Sequence, residues 1–347
     1  MNAINGKKMD LGTASLTLIV AFCAQYLFQV IVGFFPLSDA AYTWTVVIAN
    51  QLILFAVCFV FCFKKKVDYV DLLGLKRPPK WYFFPIFFFV AVACLFAFAP
   101  LSGLIKRMLE KLGYVVSPNY YVPMHNAGLF ALSFLALTLL PAIGEETALR
   151  GVLFGGSRER SPVFAIFYTA AIFALMHGNL NQLTHQFLLG VVMGYLVCVT
   201  GSIYASATVH FFNNGLALLF EYGLQNGWID PRFYWYLCGE LSPKTTLIGM
   251  VIAIFAIVML LVLVTCLLIR ERAKKETETE MLGNARGISA YLDYLAGIPT
   301  EEKPEENAAA KAISKKIKKY SLALAIALAA MLLLVVLLSL VPTGGKG

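Results

Sequence analysis

Leu139-Leu140-Pro141-Ala142-Ile143-Gly144-Glu145-Glu146-Thr147-Ala148-Leu149-Arg150 places two adjacent carboxylates inside a stretch that otherwise reads as membrane-spanning. A charge on a spanning helix costs at least ~2.5–3.5 kcal/mol at the bilayer centre, so such residues face a protein interior or a wet cavity and generally have a function. The fold around the pair and its chemistry are therefore one question.

The surrounding chain has the composition of a membrane protein: 347 residues, 59% hydrophobic and only 14% charged, with a mean hydropathy of +0.75. Spans of about 20 apolar residues match a ~30 Å hydrocarbon core. Nine apolar segments are predicted, at 13–35, 43–63, 82–104, 128–156, 162–178, 185–200, 203–221, 246–269 and 321–341. The fold class is all-α, a polytopic transmembrane helical bundle of about eight or nine spanning helices. The sixth segment is short and only Gly201-Ser202 separates it from the seventh, which predicts a tight helical hairpin.

The formal charge of +8 lies in short basic flanks of apolar runs and not on a folded patch, so it marks topology and argues against a nucleic-acid partner. With the amino terminus in the cytoplasm, residues 1–12 and the loops at 64–81, 157–161 and 270–320 put 21 Lys and Arg inside, against six outside. That asymmetry follows the positive-inside rule. Lys7 and Lys8 precede an apolar run too long for a signal peptide, which reads as a retained first span. Six of seven cysteines lie in apolar segments and only Cys238 is in a loop, so no disulfide framework is implied.

Between the third and fourth spans, Leu101, Leu104, Ile105, Met108, Leu109 and Leu112 recur at helical spacing. They fit either an interfacial helix or an extension of the third span. Trp228, Phe233, Tyr234, Trp235 and Tyr236 read as an aromatic belt. Residues 270–320 form a charged cytoplasmic linker, and residues 321–347 a last span and tail.

Helix geometry separates the two glutamates. Glu146 and Arg150 are four residues apart and share a face, while Glu145 is turned ~100° away. A buried ion pair that orients helices explains Glu146 and Arg150 but leaves Glu145 unaccounted for. Of the four histidines, His177 closes Phe173-Ala174-Leu175-Met176-His177 and His210 opens His210-Phe211-Phe212-Asn213-Asn214. His210 and Asn214 share a helix face, as do Phe173 and His177. His125 in a loop and His185 at an expected helix start read as bystanders. At 1.5 Å per residue, Glu145 lies ~17 Å, His177 ~22 Å and His210 ~10 Å from the cytoplasmic ends of their spans, all within the hydrocarbon layer.

A glutamate in an apolar cavity can take a proton from water, an imidazole can orient or shuttle it, and His with Asn can donate to an oxyanion. That is equipment for hydrolysing an acyl bond. Glu145, His177 and His210 also form a ligand set for Zn²⁺ with water in the fourth position, so the residues leave a metal open.

Glu145-Glu146-x-x-x-Arg150, Phe173-x-x-x-His177 and His210-x-x-x-Asn214 together resemble, in order and spacing, the CPBP family of intramembrane proteases, also called the Abi or type II CAAX prenyl endopeptidase family. Asp71-Leu72-Leu73-Gly74-Leu75-Lys76 also looks like a stretch found upstream in that family. The resemblance implies a catalytic helical core at 128–221, following N-terminal helices and loops over 1–127 and preceding an aromatic loop and eighth span over 222–269. It further implies that Glu145 and His177 activate water, that His210 and Asn214 stabilise the oxyanion, and that Glu146, Arg150 and Phe173 support the site. The implied partners are the lipid bilayer and a membrane-associated peptide or protein substrate. Metal-free catalysis is favoured over zinc, since no outer partners that would orient zinc ligands are identifiable. The competing readings are a non-catalytic membrane scaffold and a proton-coupled transporter. Buried Glu and His also make proton relays, but no inverted repeat of broken helices is present.

Overall fold

The computed structural model describes residues 8–114, 124 and 126–279, the side chains of 273–279 excepted. His125, most of the linker and the expected span at 321–341 lie outside the described residues. Among those described, every regular element is helical: α1 (Leu11–Val32), α2 (Asp39–Lys65), α3 (Tyr69–Leu72), α4 (Phe83–Lys111), α5 (Ala127–Ser157), α6 (Pro162–Met176), α7 (Leu180–Thr200), α8 (Ile203–Gln225), α9 (Pro231–Leu237) and α10 (Pro243–Thr279). Six of them, α1, α2, α4, α5, α7 and α10, are long and apolar enough to cross a membrane, and α6 is a shorter apolar helix. The protein is an integral membrane helical bundle. α4 is the central element, packed by α7, α8 and α10, while α1 lies on α2, α2 on α5, and α6 on α7.

The structure revises the start of one helix and decides an open reading of another. α7 starts at Leu180, capped by Asn179, and not near His185. Asn181, Gln182, Thr184, His185 and Gln186 fill its first turns and conceal them from a hydropathy reading. The leucines after residue 100 continue α4 to Lys111 as one helix. The expected belt also divides: Trp228 and Trp235 are exposed, but Phe233 and Tyr236 turn inward onto Phe96.

Proline explains one of these inward contacts. Pro100 lies inside α4 and has no N–H, so the carbonyl of Phe96 loses its helical donor. In hydrocarbon an unmet backbone group costs several kcal/mol. The Tyr236 hydroxyl donates to Phe96 O at 2.9 Å and meets it.

Glycine sets the closest approaches. Gly190 and Gly194 form a small-x-x-x-small stripe on α7, and a Cβ on Gly190 would lie 2.9 Å from Ala170 Cα of α6. The segment around α3 wedges into the bundle in the same way. Leu73 fills the space beside Gly151 and Leu72 that beside Gly155, both on α5. Gly74, at φ +63°, then meets the α7–α8 turn, where Ser202 Oγ donates to Gly74 O at 3.0 Å and Ile203 N to Leu73 O at 3.2 Å. A Cβ on Gly74 would stand 2.1 Å from Gly201 O.

Gly74→Ala is therefore expected to lower stability by about 3 kcal/mol or more, since the left-handed backbone costs ~1–2 kcal/mol and a backbone clash is added. Gly113→Ala shares a positive φ, +84°, but has nothing within 4 Å, and should show only the conformational part. Thermal unfolding in detergent compares the two; equal losses would show that the wedge contact contributes nothing.

Candidate active site

α5 carries the paired glutamates and departs from α-helical geometry on both sides of them, with π-helical turns at Leu135–Leu139 and Thr147–Leu153. Such wider turns loosen the ladder of backbone bonds and often occur at functional sites. Pro141 acts here as Pro100 does in α4, since it withholds the donor that Leu137 O would receive. Asn214 of α8 supplies the replacement, its Nδ2 donating to Leu137 O at 3.2 Å. One amide hydrogen of Asn214 is thus committed to holding α5, and the second is free for another acceptor.

Glu146 is fully buried, and its Oε1 receives two donors, Arg150 Nη1 at 2.8 Å and His210 Nδ1 at 2.9 Å. The Arg150 guanidinium also points Nη2 at Gly190 O, 3.4 Å away, and lies 4.5 Å from the centroid of the Phe173 ring. Because a carboxylate only accepts, the proton on His210 Nδ1 is fixed. His210 Nε2 then faces Glu145 Oε2 at 3.8 Å, beyond hydrogen-bonding range.

Glu145 is buried as well, with 7% exposure. Its two oxygens differ. Oε1 accepts from Gln51 Nε2 of α2 at 2.8 Å, while Oε2 is buried with no hydrogen-bond partner. Glu145 thus lacks a partner on its own helix, as its spacing predicts, but has one on α2 that periodicity does not reveal.

His177 caps the carboxyl end of α6, half-buried, with Nδ1 donating to Phe173 O at 2.7 Å. That bond leaves Nε2 as the lone-pair nitrogen of the neutral ring. Phe173 is the hub between the imidazoles, with ring centroids 4.9 Å from His177 and 5.5 Å from His210. Glu145, Glu146, Arg150, Phe173, His177 and His210 therefore form one connected cluster. Asn214 is a turn further along α8.

Residues 127–216 match the family model described as type II CAAX prenyl endopeptidase Rce1-like. The motif-bearing segment is Rce1-like. The match takes in all three motifs on which the CPBP resemblance rests, and so α5, α6, α7 and the first part of α8. No curated protein and no solved structure matches the chain.

Gln51, which touches the Rce1-like segment from outside, is a site residue that the sequence reading missed. Its signal was the adjacent amide pair Asn50-Gln51 among the apolar residues of a spanning helix. His185 packs edge-on against Phe98, ring centroids 6.1 Å apart. As for zinc, no three His, Cys, Asp or Glu side chains among the described residues are grouped to hold an ion. His210 Nδ1 is already engaged by Glu146, leaving one ring nitrogen for any ligand.

Proposed function

We propose that this protein is an intramembrane endopeptidase that hydrolyses a peptide bond of a membrane-associated peptide or protein, with its amino terminus in the cytoplasm and Glu145 as the base. The observation that carries this reading is the state of Glu145, a buried carboxylate with one oxygen held by the neutral Gln51 and the other without a partner, whereas Glu146, whose Oε2 is also unpartnered, is ion-paired to Arg150. A general base needs that arrangement, fixed in place yet with a lone pair free.

In the proposed sequence Glu145 Oε2 takes a proton from water as the water oxygen bonds to the scissile carbonyl carbon. His177 Nε2 orients that water. The carbonyl oxygen becomes an oxyanion, towards which the second amide hydrogen of Asn214 and His210 Nε2 are directed as donors. Donation from His210 Nε2 requires both ring nitrogens to be protonated, with Glu146 accepting from the other. The C–N bond then breaks and the proton on Glu145 passes to the leaving amine. Glu146 and Arg150 hold His210, and Phe173 separates the two imidazoles. Glu145, His177 and His210 are not grouped to hold zinc among the described residues, and no step here uses a metal.

Two measurements on purified protein test the reading. His177→Ala is expected to lower cleavage by about 10²–10⁴-fold, the range for acid–base participants. A chelator is expected to leave wild-type cleavage unchanged. Loss on chelation that Zn²⁺ restores would overturn the metal-free mechanism, and undiminished cleavage by His177→Ala would remove His177 from it.

A further inference from the structure

The residue that holds Glu145 comes from α2, outside the Rce1-like segment. Polar side chains between α1 and α2 are otherwise accounted for by the pairing of these two helices. Gln25 Nε2 donates to Asn50 O at 2.8 Å, and Gln29 Nε2 reaches Asn50 Oδ1 at 3.5 Å. Gln51 differs because it reaches a third helix.

The orientation of its amide is informative. Only Nε2 can face a carboxylate, so the bond to Glu145 fixes which way the group points. Oε1 is then turned towards Gly144, where a Cβ would stand 2.6 Å away, and it is buried with no partner. A buried acceptor left unmet costs free energy and calls for an explanation. The amide is placed to suit Glu145 at the expense of its own acceptor, and the absence of a side chain at Gly144 gives it room. With Oε1 of Glu145 pinned, the carboxylate cannot swing about its terminal torsion, and Oε2 is kept on the His210 side.

We infer that Gln51 is a positioning residue, the part of the α1–α2 pair that completes the base of the Rce1-like site. This rests on the reading of Glu145 as that base. Gln51 acts through Glu145 and is not assigned contact with substrate. Freeing a base by about 1 Å lowers the chemical step by up to about 10²-fold without weakening substrate binding.

The test uses full-length wild type, Gln51→Met and Glu145→Gln at matched membrane levels. New peptide ends in the membrane proteome are compared, and the best-cleaved sequence is made as a synthetic peptide for kcat and KM. Methionine keeps the length but removes the donor, so Glu145 Oε1 loses its partner and a modest fall of the thermal midpoint in detergent is expected, with the protein still folded. Gln51→Met is expected to lower kcat about 10–100-fold with KM within about twofold. Wild-type kcat in Gln51→Met alongside an inactive Glu145→Gln would overturn the inference and leave the proposed function standing. A raised KM with kcat unchanged would mark Gln51 as a binding residue and overturn it equally. Wild-type cleavage by Glu145→Gln would remove the base itself, and both readings with it.

Discussion

Glu145→Gln is expected to abolish Glu145-dependent cleavage, a loss of about 10²–10⁴-fold or more, while the protein still inserts and folds. The substitution is nearly isosteric. The new side-chain carbonyl can still accept from Gln51 Nε2, so the 2.8 Å contact that fixes the position is retained. What disappears is the basicity of Oε2, the oxygen with no partner in the resting site. A neutral amide is also less costly than a carboxylate in the membrane, so poor insertion would not account for a loss. Membrane proteomes with and without the substitution should differ in a defined set of peptide ends. Identical sets at equal protein levels would end the reading of Glu145 as base.

Arg150→Met should have the largest effect on stability, about 3–5 kcal/mol, because it leaves Glu146 as a buried charge without its cation. Both partners are fully buried and 2.8 Å apart, so solvent does little to screen the pair. Glu146→Gln made together with Arg150→Met should recover much of the loss, as replacing both members of a buried pair is often nearly neutral. Thermal unfolding in detergent measures both variants. A single variant as stable as wild type would mean that His210 alone balances Glu146. Activity should not return in the double variant, because the amide can still accept from His210 Nδ1 but no longer offers the negative charge that faces the doubly protonated ring the mechanism uses.

The helical class and most of the spans were legible because a bilayer imposes length and apolarity directly on sequence. The glutamate assignment was legible for a similar reason, since helical rotation alone separates Glu145 from the Glu146–Arg150 pair. Hydropathy failed where the interior is polar. The start of α7 was hidden by its run of Asn, Gln, Thr and His, whereas α8 lies where the segment at 203–221 was expected, despite His210, Asn213 and Asn214. Periodicity fixes which residues share a face but not which faces meet, so Gln51 had no assigned role until α2 was seen against α5. The π-helical turns of α5 were invisible for a related reason. Pro141 signals that a donor is missing, but only the packing of α8 shows that Asn214 replaces it.

The wedge formed by Leu72, Leu73 and Gly74 bears on where the protein can be divided. Its sockets, Gly151, Gly155 and Gly201, all lie in the Rce1-like segment, while the wedge precedes that segment in the chain. The stretch that a family comparison recognises thus does not contain all the side chains that pack it. Excised, it would present empty notches where leucines belong and a glutamate without its amide. The matched segment and the set of residues that packs it are different lengths of this chain, and the site needs the longer one.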